Sequence, residues 1–390
     1  WGGGGGRDPL DELVSAVQGV CGAGVKVSTV LSGMELSNRQ FTTFLKKLSK
    51  RRASHECMWH VFQWGLEEME MNVIHYNALI DSVGRVSVPQ ALEVYAEMRN
   101  ARVPPDVYTF NSLIAACARK GQCQQALTMY HQMKELCLQP DQCTFNTLML
   151  AYEKSKDFRG VLALQSEMLA CQVVPDVVTY SMLISASQKV EKWNTTLRLY
   201  QEMQDAGVKP NQYTFSLLIS GCSRRHRWRG QGRSESMHGA SQLAEAMKLY
   251  ETMLLNNVRP NIVTFSALIT AAGEAREVDR AIQLFQEMKS MPGIKPNAYI
   301  YNALIFACER GGRWREALQV WNEMRNDPDV VPDIVTATTV LQACKTGLTQ
   351  TQRSKRRAAL LSRSLSRTNE AAAQGYNYHN TNRCEFSGMQ

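Results

Sequence analysis

The stretch VVPDVVTYSMLISASQKVEKWNTTLRLYQEMQDAGVKPN, Val173 to Asn211, decides the fold. Tyr180, Met182, Leu183, Ile184 and Ala186 give its first half a helical apolar face. In its second half Trp193, Leu197, Leu199, Tyr200 and Met203 recur at three- and four-residue steps. Gly207 suits a left-handed helix C-terminus, and Pro210 stops any continuation. The stretch therefore reads as two amphipathic helices closed by a turn.

The same design returns along the chain. Its closing proline stands at Pro105, Pro140, Pro175, Pro210, Pro260, Pro296 and Pro332, at intervals of 35, 35, 35, 50, 36 and 36 residues. Asp or Asn follows each proline, and then comes a segment of one pattern: VYTFNSLI, QCTFNTLM, VVTYSMLI, QYTFSLLI, IVTFSALI, AYIYNALI and IVTATTVL. The second helices share another pattern: ALEVYAEM from Ala91, ALTMYHQM from Ala126, TLRLYQEM from Thr196, AMKLYETM from Ala246, AIQLFQEM from Ala281 and ALQVWNEM from Ala317. A two-helix unit cannot bury its apolar face alone, so a fixed period of this length implies an all-α stack of tandem helix-turn-helix units. In that stack the small Ala lets helices approach, and the aromatic and Met fill the core.

Counting from the clear occurrences gives eight units: 38–72, 73–106, 107–141, 142–176, 177–211, 212–261, 262–297 and 298–333. Residues 1–37 form a disordered or helical N-terminal segment. Residues 334–345 make a partial ninth unit or cap, and 346–390 a basic disordered tail. The long unit carries an Arg-rich insertion at about 225–239, in which Arg224, Arg225, Arg227, Arg229 and Arg233 surround Trp228.

Composition excludes more than it assigns. The net charge is +8, but eight basic against two acidic residues from Lys345 onward supply six of those charges. The array itself is nearly balanced. Eleven Cys form no C-x-x-C pair, and the seven His are scattered. No metal site, cofactor or small-molecule substrate is expected. No apolar run approaches membrane-spanning length, so no membrane partner is expected either. Cys117, Cys222 and Cys308 fall at one equivalent place and read as small buried apolar residues.

Three positions of the unit are polar or exposed by pattern. The fifth is Thr42, Asn77, Asn111, Asn146, Ser181, Ser216, Ser266 and Asn302. The last is Asn72, Asp106, Asp141, Asp176, Asn211, Asn261, Asn297 and Asp333. Asp and Asn at the last place suit N-capping of the next helix. Yet every Asn at the fifth place goes with Asp at the last, and every Ser or Thr with Asn. Capping alone offers no reason for that covariation. The thirteenth residue is Lys50, Arg85, Arg119, Lys154, Lys189, Arg224, Glu274 and Arg310. Stacking would align these cations into a row able to track a phosphate backbone, although a basic residue there also suits the helix dipole.

Tetratricopeptide repeats have a 34-residue period with a Trp, Leu-Gly, Tyr pattern in the first helix, which is absent here. The [VI]-T-[YF]-[NS]-x-L-I opening, the A-L-x-[LV]-[YFW]-x-x-M second helix and the closing P-[DN] resemble the pentatricopeptide repeat family, in its all-35-residue, P-type subclass. The resemblance covers Asn38 to Asp333. It implies a right-handed α-solenoid superhelix that binds single-stranded RNA, one base per repeat, 5′ to 3′ from N- to C-terminus. The fifth residue would contact the base edge and the last would assist it. Ser or Thr with Asn goes with adenine, and Asn with Asp goes with uracil, with cytosine tolerated. Transferred residue by residue, the site is 5′-AUUUAAAU-3′.

The second position of the family packs on base faces. Here Ile74, Tyr108, Val178, Tyr213, Val263 and Tyr299 fit, while Arg39 and Cys143 depart from the pattern. The resemblance further implies a non-enzymatic role in the stability, processing or translation of chloroplast or mitochondrial transcripts, with protein partners left open. Neither H-x-E nor P-C-x-x-C, the deaminase spacing, occurs. Two alternatives stand beside this reading: the RNA-specificity arm of an enzyme whose catalytic domain is elsewhere, and a protein-binding helical scaffold.

Overall fold

Each turn between helices is built from a few local rules, and the helices follow from them. A computed structural model of the chain describes residues 9–22, 28–31, 36–51, 55–224, 235–332 and 334–347. The chain divides into two compact units, Trp1–Pro210 and Asn211–Gln390. All regular structure in the described residues is helical.

The first unit opens with α1 (Pro9–Gly22) and α2 (Ser28–Leu31). Helix pairs follow: α3 (Asn38–Lys50) with α4 (His55–Glu68), α5 (Val73–Gly84) with α6 (Val88–Asn100), and α7 (Val107–Arg119) with α8 (Cys123–Glu135). The last two pairs are α9 (Gln142–Lys154) with α10 (Phe158–Ala170), and α11 (Val177–Lys189) with α12 (Trp193–Asp205). In the second unit α13 (Gln212–Arg224) pairs with α14 (Glu235–Leu255), α15 (Ile262–Glu274) with α16 (Val278–Ser290), and α17 (Ala298–Arg310) with α18 (Trp314–Asn326). A final helix, α19, spans 334–347.

Within each unit the first helices stack on one another: α3, α5, α7, α9 and α11 in one, α13, α15 and α17 in the other. Each second helix lies against its own first helix, and α4, α6, α8, α10, α14 and α16 also lie against the next one within their unit. This is the solenoid arrangement, and the sequence pattern explains its adhesion. Ala91, Ala126, Ala246, Ala281 and Ala317 are fully buried, as are Met98, Met133, Met168, Met203, Met253, Met288 and Met324. The aromatic of the second helix meets the fourth-position aromatic of the following helix edge-on. Tyr95–Phe110, Tyr130–Phe145, Tyr250–Phe265 and Phe285–Tyr301 have ring centroids 5.6, 5.9, 5.9 and 5.6 Å apart. Such pairs contribute about 0.5–1.5 kcal/mol beyond their area, so these contacts recur as a staple between neighbours. Cys117, Cys222 and Cys308 are fully buried, and burial pushes the Cys117 and Cys308 thiols up to about 11.

Most second helices end in a left-handed residue. The N–H of Val103, Leu138, Val173, Val208 and Val258 reaches back to the carbonyl of the buried Met five residues earlier. The residue before each is at positive φ: Arg102, Cys137, Gln172, Gly207 and Asn257. This is the Schellman closure, and only Gly207 meets it without a Cβ penalty.

Of the insertion expected at about 225–239, residues 235–239 belong to α14, which begins at Glu235 and runs 21 residues where its counterparts run 13. Helix winding continues through Glu235–Leu255 because no Gly-Pro or Pro stop interrupts it before Asn256. Residues 225–234 with Trp228, the Gly-rich start, Asp333 and the tail from 348 lie outside the described residues.

Candidate functional site

Every described first helix from α5 onward starts at an Asx residue. Asn72, Asp106, Asp141, Asp176, Asn261 and Asn297 are N-caps in extended backbone, and each accepts from the backbone N–H at the third helical position. For Asp106, Asp141 and Asp176 the distance to the Thr N–H is 2.8 Å. The Thr hydroxyl in turn accepts from the cap's own N–H, at 3.1, 3.2 and 3.3 Å, which completes a capping box.

The fifth-position side chain of the preceding helix reaches this cap. Asn77 Nδ2 donates to Asp106 Oδ1 at 3.0 Å, Asn111 Nδ2 to Asp141 Oδ1 at 3.1 Å and Asn146 Nδ2 to Asp176 Oδ1 at 3.5 Å. In the second unit Ser216 Oγ lies 3.3 Å from Asn261 Oδ1. The expectation that capping has no connection to the fifth position is therefore wrong. The cap is the fifth residue's hydrogen-bond partner, so an amide donor calls for a carboxylate acceptor on grounds internal to the fold.

Burial raises the Asp141 and Asp176 carboxyls, but the Thr N–H, the Thr hydroxyl and the Asn amide outweigh it and hold both below the usual carboxylate value. The remaining pairs differ. Thr42 donates to its own helix at Asn38 O, and Asn72 caps α5 through Ile74 and His75. Asn297 caps α17 through Ile300 N–H. Ser181 donates to Val177 O, while its expected partner Asn211 belongs to the second unit. Asn302 accepts from Thr336 Oγ1 at 2.5 Å.

The sequence reading overlooked a third participant, the Thr at the third helical position. Thr109, Thr144 and Thr179 are fully buried and donate to Asn77, Asn111 and Asn146 Oδ1 at 2.6, 2.6 and 2.7 Å. Thr264 Oγ1 lies 3.0 Å from Ser216 Oγ. The signal was present as the T of six of the seven opening segments quoted above, and its return at one place across units was the cue.

Second-position side chains stand in the open. Ile74, Tyr108, Val178, Tyr213, Val263 and Tyr299 are 50–78% exposed, and Arg39 and Cys143 are exposed as well. Exposed apolar groups repeating at one register are not core. The thirteenth-position row is less uniform than expected. Arg85 pairs with Asp81 at 2.8 Å, Arg119 approaches the same carboxylate at 3.9 Å, and Arg310 pairs with Glu274 at 3.2 Å. Lys154 and Lys189 are exposed, with no ion pair among the described residues. The side chains of Lys50 and Arg224 lie outside the described residues. No cluster of His, Cys, Asp or Glu suited to a metal occurs among the described residues, nor is any described helix long and apolar enough to cross a membrane.

Comparison with known proteins agrees with this architecture. The PPR repeat family model matches residues 71–119, 105–152, 140–189, 175–224 and 296–346, and the pentatricopeptide repeat domain model matches 248–312. These matches cover more than half of the chain, which belongs to the pentatricopeptide repeat family. Over 91 residues it is 32% identical to maize pentatricopeptide repeat-containing protein 10, chloroplastic, a match spanning 23% of this chain and 12% of that protein.

Two solved structures are also similar. One is the pentatricopeptide repeat protein PPR10 in complex with an 18-nt psaJ RNA element, at 23% identity and a TM-score of 0.40 over 88% of this chain and 57% of that one. The other is the PPR domain of Arabidopsis thaliana protein-only RNase P 1 in complex with tRNA, at 16% identity and a TM-score of 0.41 over 47% and 97%. The chain thus spans little more than half of the solved PPR10 chain.

Proposed function

We propose that this chain binds single-stranded RNA selectively, one base per helix pair, and acts by occupancy without covalent chemistry. The observation that carries the reading is the oriented amide. In three successive pairs an Asn gives one Nδ2–H to an Asp carboxylate. The amide keeps a second N–H and an Oδ1 lone pair, a donor beside an acceptor. Uracil offers the complement at its edge, N3–H beside O4. Where Ser replaces Asn and Asn replaces Asp, a hydroxyl and an amide stand in place of amide and carboxylate, and adenine is the base assigned.

The exposed second-position side chains suit packing on base faces. Stacking contributes about 1–3 kcal/mol per base, so useful affinity needs several pairs engaged together. Lys154 and Lys189 are the cations of the thirteenth row with no carboxylate partner among the described residues, and they suit phosphates. The predicted site is 5′-AUUUAAAU-3′. The chloroplast is the compartment proposed, with the mitochondrion as the alternative, and the maize relative's chloroplastic designation supports an organellar setting.

A gel-shift titration tests this. The full chain should bind AUUUAAAU more tightly than a scrambled single strand of equal composition. Equal affinities would leave a non-selective binder and end the base-reading assignment.

A further inference from the structure

We infer that the Thr at the third position of each following helix is a positioning residue that sharpens the uracil preference of the Asn before it. The inference rests on the base-reading assignment above and deepens it. Asn111 shows the geometry. Thr144, from the next helix, places its hydroxyl oxygen 2.6 Å from Asn111 Oδ1 and 2.8 Å from Asp141 Oδ1. It also accepts from Asp141 N–H at 3.2 Å. A hydroxyl has one hydrogen, and the shorter contact goes to Asn111.

The Asn amide is thereby held at both ends, oxygen by Thr144 and nitrogen by Asp141. One Oδ1 lone pair is consumed, and a single acceptor remains beside the free N–H. That fixes which end of the amide donates and which accepts, so a base whose donor and acceptor stand in the opposite order to uracil's O4 and N3–H, as in adenine and cytosine, is disfavoured. The same holds for Asn77 with Thr109 and Asp106 and for Asn146 with Thr179 and Asp176, and Thr336 holds the oxygen of Asn302.

The sequence supplies independent support. All four fifth-position Asn residues are followed by Thr at the third position of the next helix. The hydroxyl residues are not held to this rule: Thr42 is followed by His75 and Ser266 by Ile300. A fifth-position hydroxyl can instead donate within its own helix, as Ser181 does to Val177 O. Thr42 donates to Asn38 O and Ser216 to Gln212 O, each within its own helix. An amide has no such anchor, so it needs the neighbour.

Thr144→Val keeps the shape and removes the hydroxyl. Affinities are measured for AUUUAAAU, AUAUAAAU and AUCUAAAU, which differ at the third nucleotide, and for AAUUAAAU, which differs at the second. The expected result is a loss of about fivefold in the third-nucleotide preference for uracil over adenine and cytosine. The second-nucleotide preference, read through Asn77 and the intact Thr109, should not move. Thr144→Ser should restore the original ratio.

A uniform drop in affinity with the third-nucleotide ratio unchanged would show that Thr144 serves the fold alone and would overturn the inference. A wild-type chain with no third-nucleotide preference would instead remove the base-reading assignment, and this inference with it. Thr179→Val repeats the test at the fourth nucleotide should Thr144→Val fail to fold.

Discussion

The two halves of the molecule build one contact from different chemistry. Before Pro210, three successive helix pairs join their fifth and last residues through an amide and a carboxylate. After Asn211, the contact between α13 and α15 uses a hydroxyl and an amide at 3.3 Å. The framework around both is the same: an Asx cap, a buried Thr and an edge-on aromatic pair. What varies is the donor and acceptor set, and the charge. The first unit carries a carboxylate at α5–α7, α7–α9 and α9–α11, whereas α3–α5 and, in the second unit, α13–α15 have a neutral Asn cap. A repeated backbone thus leaves its polar pair free to change, provided donor and acceptor change together.

Breaking the caps should produce the largest difference. Asp141→Ala removes a cap and strands the Asn111 amide, and about 2 kcal/mol of stability should be lost in urea denaturation. Asn261→Ala removes a neutral cap with a longer partner contact, and about 1 kcal/mol is expected.

Converting one region into the other comes next. Ser216→Asn with Asn261→Asp installs the first unit's pair in the second. The sixth-nucleotide preference should move from adenine to uracil by about 1 kcal/mol, read as relative affinity for AUUUAAAU and AUUUAUAU. Each single substitution alone should weaken both. Unchanged preference in the double variant would break the comparison as a statement about reading.

Turn residues offer a smaller test. Gln172 and Asn257 occupy the same left-handed position in the two units, at φ 59° and 54°. Gln172→Gly should raise stability by about 0.5–1 kcal/mol, because a Cβ is disfavoured there and the unfolded chain's added freedom offsets part of the gain. Asn257→Gly should change little, since Asn tolerates that conformation.

The finest distinction is in acid. The Asp141 and Asp176 carboxyls lie below their unfolded value, so their contribution is fully present above about pH 4 and is lost as pH falls through the folded values. Asp176→Asn should reduce the acid sensitivity of the first unit's helical signal. A wild-type and variant pair with identical acid midpoints would contradict the assigned pairing.

The fold was legible because the period is written in side chains that must be buried. Met133, Met168 and Met203 repeat at the spacing of the structure they fill, and Gly207 marked its own turn. The candidate site was half legible. Covariation of the fifth and last positions pointed to a shared partner, but a single chain cannot distinguish a common ligand from direct contact, and direct contact is present. Thr144 escaped notice because a buried hydroxyl in an amphipathic helix looks like helix-start chemistry, which it also performs. The basic row failed as a uniform feature because charge on a helix end is matched locally: Asp81 lies one turn before Arg85, where no repeat-wide alignment would reveal it.

Thr336 in α19 closes on Asn302 of α17, although α19 has no fifth-to-last pair described of its own. Each fifth-position Asn amide is thus completed by the segment downstream of it, and a cassette cut at the helix-pair boundary would leave its final Asn unsupported. Anyone splicing or shortening this array must carry along the opening turn of one additional helix, or the terminal Asn is left without its hydroxyl partner.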